Sequence, residues 1–273
     1  MNEKHKHCEF LPSDGFKFNI YYNELNRETH TFEIDMHSHD DYEIYINLSG
    51  DVAFAVKNRL YPLTRGDVVF SRPGEYHHCV YRSNADHKFF WILFSCERSE
   101  LLEDFFKDSD ENFISLSIGN REELLLVCKN LLNKDLSEID KYCGIFRIMQ
   151  LVKGGMSADC DTHNILPNEV TLALQYIDKH ISDDITGEDI AKASFVSKST
   201  IERRFKQYLG LKPFEYIRKK RLTMAATLIR NGRSVLQAGI ETGFKDNSNF
   251  IKNFREHFGQ TPHQYKQSSS IYK

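Results

Sequence analysis

The last third of the 273-residue chain contains one stretch twice. Residues 195–216 read FVSKSTIERRFKQYLGLKPFEY, and residues 244–265 read FKDNSNFIKNFREHFGQTPHQY. Phe195/Phe244, Phe205/Phe254, Gly210/Gly259, Pro213/Pro262 and Tyr216/Tyr265 recur at a single offset. Such agreement in register marks one supersecondary unit used twice, so the chain must build the same local structure in two places.

Each copy reads as two helices about a tight turn. Thr186 followed by Asp189 opens a short helix containing Ile190 and Ala191, and Ser197 is placed to cap a second. Ile201, Phe205, Tyr208 and Leu209 recur there at helical spacing, which turns Lys198, Ser199, Glu202, Arg203 and Lys206 toward the other side. Gly210 stops that helix. The second copy repeats the plan, with a helix from about Ser234, a break at Gly243, then Phe250, Phe254 and Phe258 inside and Asn247, Lys252 and Arg255 outside. This is the pattern of a helix-turn-helix, whose second helix enters a DNA major groove. A lone pattern of this kind can equally be two packed core helices. Two copies joined by a basic stretch point to the DNA reading.

That stretch, residues 213–230, contains Arg218, Lys219, Lys220 and Arg221, and Pro213 suits a first helical position. A helix of that length spans roughly 25 Å. Two reading helices held on it could reach successive major grooves about 34 Å apart. Surrounding Lys and Arg residues, Lys219 among them, are left for phosphates.

From Arg221-Leu222 and Ala225 through Ala238, Gly243-Phe244, Phe250, Phe254 and Gly259 to Thr261-Pro262, the chain resembles the DNA-binding domain of the AraC/XylS family of bacterial transcription regulators. The resemblance implies that Ser199, Glu202 and Arg203 in the first unit, and Asn247, Ser248, Asn249 and Lys252 in the second, face the bases of double-stranded promoter DNA. Transcription machinery is a further implied partner.

Overall charge is only −3, which alone predicts no nucleic-acid partner. Residues 1–164 hold 18 Lys+Arg against 28 Asp+Glu, and residues 165–273 hold 18 against 11, for net charges of −10 and +7. An acidic sensor joined to a basic reader fits that asymmetry. Cys8, Cys79, Cys96, Cys128, Cys143 and Cys160 are scattered without a CxxC pair, as expected of thiols in a reducing cytoplasm. No apolar run is long enough to span a bilayer and no signal-peptide pattern opens the chain, so a cytoplasmic protein without a membrane partner is expected.

Residues 1–15 read as polar and loosely held. Short aromatic and β-branched runs follow at 16–22, 29–36, 42–48, 52–56, 68–70, 77–81 and 89–94, separated by turn signals such as Ser49-Gly50-Asp51 and Arg65-Gly66-Asp67. Many short strands at this spacing predict a sandwich or small barrel. His37-x-His39-x-x-x-Glu43 with Gly50 beyond it, and Gly66-Asp67 followed by Pro73-Gly74 and His77, resemble the two motifs of the cupin jelly-roll barrel. Thr31 stands where the first motif usually begins with glycine. AraC-type regulators often carry such a barrel as their sensor.

With His37, His39 and Glu43 inward, a period of two also sends Tyr45 and Asn47 inward, and Ile44, Ile46 and Leu48 outward. His77, Cys79 and Tyr81 share one face, and Trp91 is a candidate aromatic wall. Imidazoles, a carboxylate and phenols suit a small polar effector with a ring to stack on, such as a sugar. His37, His39, Glu43 and His77 are also a workable ligand set for a divalent metal with an open position, as in cupin enzymes. The simpler alternative is that they hydrogen-bond one another and an effector, with no metal, no cofactor and no catalysis.

From residue 99 to 153 the pattern turns helical, with Leu124, Cys128, Leu131 and Leu132 on one stripe and Ile145, Ile148, Met149 and Val152 on another. These helices cover the barrel, present an apolar face to a second copy, or both. Gly154-Gly155 ends the run. Pro167 then opens a helix to Ile181 whose buried side is Val170, Leu174, Ile177 and Ile181.

The expected architecture is therefore two-domain α+β. A cupin-like barrel with following helices occupies 1–155, a linker 156–166, and an all-α double helix-turn-helix 167–273. The expected function is an effector-responsive, homodimeric transcription regulator rather than an enzyme. Its alternatives are a metal-dependent cupin enzyme fused to a DNA-binding domain and a constitutive DNA-binding regulator without effector.

Overall fold

A computed structural model describes residues 5–11, 15–26, 36–107, 109–156 and 164–270. Chain contacts divide the described residues into two compact units, the first running to Ile165 and the second from Leu166, with the short segment Met36–Ser38 grouped with the second. Thr31 and all of the predicted 29–36 strand except Met36 lie outside the described residues, as do Cys160 and most of the predicted linker. No helix among the described residues is long and apolar enough to cross a membrane.

The N-terminal unit contains β1 (His5–Phe10), β2 (Phe16–Leu25), β3 (Tyr42–Ser49), β4 (Val52–Val56), β5 (Arg59–Leu63), β6 (Val68–Ser71), β7 (His77–Tyr81), β8 (His87–Cys96) and β9 (Phe113–Ile114). They form a six-stranded sheet in the order β1-β2-β8-β3-β6-β9 and a three-stranded sheet in the order β5-β4-β7. Every pairing is antiparallel. Side-chain alternation along β3 separates two cores. Tyr42, Ile44 and Ile46 point one way, into a core shared with Phe18, Ile20, Phe90, Ile92 and Phe94 and with helices α1 (Ser99–Phe106), α2 (Ile118–Leu131) and α3 (Glu138–Gly155). Tyr45 points the other way and packs with Phe54, Tyr61, Val69, Cys79, Phe89 and Phe113. Residues of both sheets thus enclose one interior. Each Ile, Val or Phe fully buried here is worth about 1.5–3 kcal/mol over its exposed form.

Two readings are corrected in this unit. The N-terminal arm, read as loose, is strand β1, paired with β2 from His5↔Asn23 to Phe10↔Phe18. Its polar side chains are those of an exposed sheet edge, and exposed positions carry no apolar pattern to read. Strand β5 escaped notice because Pro62 interrupts it. It lies at the edge of the small sheet, where a missing N–H is tolerated. Gly154-Gly155, read as the end of the helical run, are the last two residues of α3, which is capped at Met156. A Cβ on Gly155 would come within 2.5 Å of Ile114 Cγ2, so this glycine serves close packing of α3 on the sheet edge.

The C-terminal unit consists of α4 (Asn168–Lys179), α5 (Gly187–Ala193), α6 (Lys198–Leu209), α7 (Pro213–Arg230), α8 (Val235–Glu241), α9 (Asn247–Phe258) and α10 (Pro262–Ser270). Pro167 is the residue before α4 rather than its first, and α4 ends before Ile181. Side chains cap the helices where the sequence places Ser, Thr or Asp. Thr186 and Asp189 form a reciprocal box on α5, and Ser197, Ser234 and Asp246 accept from backbone N–H groups at the starts of α6, α8 and α9. Gly210 and Gly259 end α6 and α9 in the left-handed conformation, at φ 72° and 71°. Phe205, Phe250 and Phe254 are fully buried.

The repeat itself needs one correction. Helices α6 and α9 begin at the same register of the repeat, but α8 begins one residue earlier than α5 does, so the second turn is one residue longer. Phe195 has φ +56° and is 85% exposed. Its backbone counterpart is Gly243, at φ +86°, whereas Phe244 packs against Phe250 with ring centroids 5.0 Å apart. The Phe195/Phe244 identity is therefore a match of letters and not of positions.

Candidate functional site

The inward face of β3 delivers the Glu43 carboxylate into the first unit, where it is 3% exposed. One of its oxygens, Oε2, lies 2.9 Å from His39 Nε2, 3.2 Å from His77 Nε2 and 2.6 Å from Trp91 Nε1, which donates to it. His37, His39, Glu43 and His77 each offer a ligand atom, all within 4.8 Å of one another. Burial alone would push the Glu43 carboxyl up. Charge on His77 and hydrogen bonds from His39 and His77 overcome it and hold the group well below the usual carboxylate range. Burial in turn lowers the His77 pKa, but the Glu43 charge and hydrogen bond more than offset it and the net shift is upward.

Local backbone fixes both imidazoles. His39 Nδ1 lies 2.9 Å from the Asp41 carbonyl, and His77 Nδ1 lies 2.8 Å from the Glu75 carbonyl. A carbonyl only accepts, so each Nδ1 carries the hydrogen and each Nε2 is aimed at an ionised carboxylate. That arrangement needs either a second proton on each ring or a cation between the lone pairs. Second-sphere carbonyls that orient the rings in this way are the usual companions of metal-binding histidines. The donor set therefore fits a divalent ion.

Two of the remaining sequence candidates lie near this cluster in different ways. Trp91 joins it directly. Tyr45, one pleat further along β3, instead bonds His87 Nε2 at 2.6 Å, and His87 stands edge-on to Tyr81 at 5.5 Å. Burial raises the Tyr45 pKa well above its ordinary value and pushes the Cys79 thiol up to about 12, so both stay protonated. His87, 1% exposed, is missing from the sequence-predicted set. The signal was present, because the period of two that brings Trp91 and Phe89 inward continues back to His87.

On the second unit, Lys198, Ser199, Arg203 and Lys206 of α6 are exposed and Glu202 is half-buried, all opposite the buried stripe Ile201, Phe205 and Leu209. On α9, Asn247, Ser248, Asn249, Lys252 and Arg255 are exposed opposite Phe250 and Phe254. Two cations already have local roles: Lys198 Nζ lies 3.2 Å from Glu188, and Lys206 Nζ donates to the Gly210 carbonyl at 2.7 Å. The basic run of α7 is likewise divided. Lys220 is buried and ion-paired with Asp178, and Arg221 donates to the carbonyls of Ile181, Asp183 and Gly243. Arg218 is exposed and Lys219 half-buried. Two of these four basic residues therefore stitch α7 to its neighbours.

Comparison with known proteins finds an AraC-like ligand binding domain over residues 17–113 and a helix-turn-helix domain over residues 190–268. The chain belongs to the AraC family of transcriptional regulators. Among AraC-family relatives, it is 25% identical over 259 residues to the uncharacterized HTH-type transcriptional regulator YdeC of Bacillus subtilis, covering 87% of each chain. It is 25% identical over 244 residues to the HTH-type transcriptional activator RhaR of Mannheimia succiniciproducens, covering 85% of this chain and 86% of that protein. A solved transcriptional regulator with an AraC-type DNA-binding domain, from Chromobacterium violaceum, is 32% identical, covering 37% of this chain and 91% of that one, with a TM-score of 0.35.

Proposed function

We propose that this AraC-family regulator senses a small polar molecule, of carbohydrate type, in its N-terminal barrel and reads promoter DNA as a homodimer through α6 and α9. The observation that carries the reading is the buried Glu43 oxygen with His39, His77 and Trp91 around it. Polar groups converge there beside an aromatic ring inside a largely apolar interior, as in sites that bind and orient a hydroxylated ring. Base readout falls to Ser199, Glu202 and Arg203 on α6 and to Asn247, Ser248, Asn249 and Lys252 on α9. Arg255 and Lys219 take phosphates, and Lys198 and Lys206 do so only by giving up their local partners. An effector acts by binding two arrangements of the regulator unequally, one of which seats both readers on DNA. RhaR is named an activator, which supports activation as the outcome.

The test is a thermal-shift screen of the whole protein against sugars and other small metabolites, with and without chelator. A ligand at a hundred times its Kd stabilises the unit that binds it by about 2.7 kcal/mol. A saturable hit that also changes affinity for promoter DNA is the expected result. Hits that leave DNA binding unaltered, or none across the screen, would favour a constitutive regulator whose N-terminal unit only dimerises.

The orientation of the two imidazoles favours a second reading, in which His37, His39, Glu43 and His77 hold a divalent ion that in turn receives the effector. Bound there, the ion would supply a positive charge for effector oxygens, and the protein would supply its ligands and their fixed tautomers. Metal analysis after purification separates the two readings. Stoichiometric metal that is lost in both His77→Ala and Glu43→Ala supports the ion, and metal-free protein that still binds effector rules it out.

A further inference from the structure

The first unit carries a recess away from the Glu43 cluster. A cavity of about 480 Å³ opens on the other side of the large sheet, between the start of β2, the end of β8, α1 and α3. Its wall is made by Phe16, Leu102, Phe105, Phe146 and Met149, and among the described residues the only charged side chain lining it is Arg98. Phe146 and Leu101 at its rim are 50% and 52% exposed, an unfavourable position for such side chains if nothing covers them. Arg98 is exposed and pairs with no carboxylate among the described residues. Glu97 and Glu100 flank it in sequence without lining the cavity.

The volume falls within the range of small-molecule sites, which is about 300–1,000 Å³. The chemistry of the lining narrows the occupant. A sugar has more hydroxyls than Tyr142, Gln150 and Arg98 can pair, and each one left against Phe, Leu or Met without a partner costs about 1–3 kcal/mol. A cation would meet an unpaired guanidinium at the entrance. An alkyl or arylalkyl chain ending in a carboxylate satisfies both features, with the chain against the aromatic wall and the carboxylate in the two-pronged reach of Arg98.

We propose that this cavity is a second effector site, separate from the barrel interior, that takes an amphipathic monocarboxylate. Such a ligand would bridge α1, α3 and the sheet. Its binding therefore stiffens the helical layer that covers the barrel's outer face. The proposal rests on the cavity and Arg98 alone and stands or falls independently of what the barrel binds.

The probe is decanoate, kept below its micelle concentration, with decyltrimethylammonium as the matching cation, each titrated into the full chain while the melting temperature is followed. Decanoate is expected to raise the melting temperature saturably and the cation not to. Arg98→Glu is expected to weaken decanoate by about tenfold or more, the worth of a charge-assisted contact. Lys134→Glu, an equal charge change on an exposed loop away from the cavity, should leave it unaltered. Gln150→Trp, at an exposed lining position, should block the entrance and abolish the shift without touching the core. Equal responses to the two probes, equal losses in Arg98→Glu and Lys134→Glu, or no saturable response would each overturn the proposal. So would a dimer that decanoate does not perturb and that Phe146→Arg dissociates, because the rim would then belong to a second copy.

Discussion

The two helix-turn-helix copies share a plan and differ in how they achieve it. Both cap the second helix with a short polar side chain, bury a phenylalanine at its centre and end it on a left-handed glycine. The second copy closes its turn on Gly243 and folds Phe244 into a cluster with Phe250, Phe254, Phe258 and Tyr265. The first closes on Phe195, which takes a left-handed φ and lies almost wholly in water. Their outward faces differ too. The first offers Glu202 and Arg203 one after the other, and the second offers two amides, a serine, Lys252 and Arg255. A repeat thus conserves what packing requires, and it leaves turn chemistry and reading chemistry free to diverge.

The largest effect should come from the shared core. Phe254→Ala removes a fully buried ring and should cost about 3–5 kcal/mol in urea unfolding of the helical unit. Phe205→Ala should cost less within that range. Among the described residues Phe205 has one ring neighbour, Tyr216, whereas Phe254 meets Phe250, Phe258 and Tyr265, and each aromatic pair adds about 0.5–1.5 kcal/mol. A greater loss at Phe205 would break the view that the second copy is the more tightly built.

Next in size is Gly243→Ala. Its φ of +86° strains any L side chain, and the added Cβ would come within 2.9 Å of both Arg221 Cζ and the Ser182 carbonyl. A loss of about 2 kcal/mol or more is expected, since strain and steric conflict act together. An unchanged melting temperature would mean that the turn can relax and that Arg221 does not pin it.

The helical unit was largely legible in the sequence because its signals are local. Caps at Thr186, Ser197 and Ser234, the bounds of α7 and the apolar spacing of α6 and α9 all act within one or two turns of helix. In the first unit, alternation on β3 was legible for the same reason, and it placed Tyr45 and Ile44 on opposite faces. What the sequence hid depends on distant partners. Strand β1 exists because β2 is there to pair with it, Gly155 is small because Ile114 lies against it, and Lys220 is buried because Asp178 receives it. At the candidate sensor site, residue types were readable, but the convergence of three side chains on one Glu43 oxygen was not.

The reading faces allow a comparison of smaller energy and sharper specificity. Arg203→Ala should lose discrimination of about 1–3 kcal/mol at particular base pairs of the first half of the site. Lys252→Ala should do the same within the second half, leaving the first unaltered. Lys219→Ala should instead weaken all sequences alike and lower the salt slope by about 1. Binding measured across operator variants at several salt concentrations separates these outcomes. Identical profiles for Arg203→Ala and Lys219→Ala would remove Arg203 from base readout.

The smallest effect tests the turn of the first copy directly, and its sign is opposite to that at Gly243. A left-handed φ costs an L residue about 1–2 kcal/mol, and Phe195 recovers little of it through packing, because its side chain is exposed. Phe195→Gly removes that strain but adds freedom to the unfolded chain worth about 0.5–1 kcal/mol. The net expectation is a gain of about 0.5–1 kcal/mol in stability, read as a raised urea midpoint at unchanged slope. A strained aromatic kept in water, where glycine would fold better, calls for a test of a use for that ring outside its own fold. Promoter affinity measured on the stabilised Phe195→Gly protein therefore decides what the ring is for. A more stable protein that binds DNA less well places Phe195 at the nucleic-acid surface, and one that binds equally well leaves the strain as a feature of the turn alone.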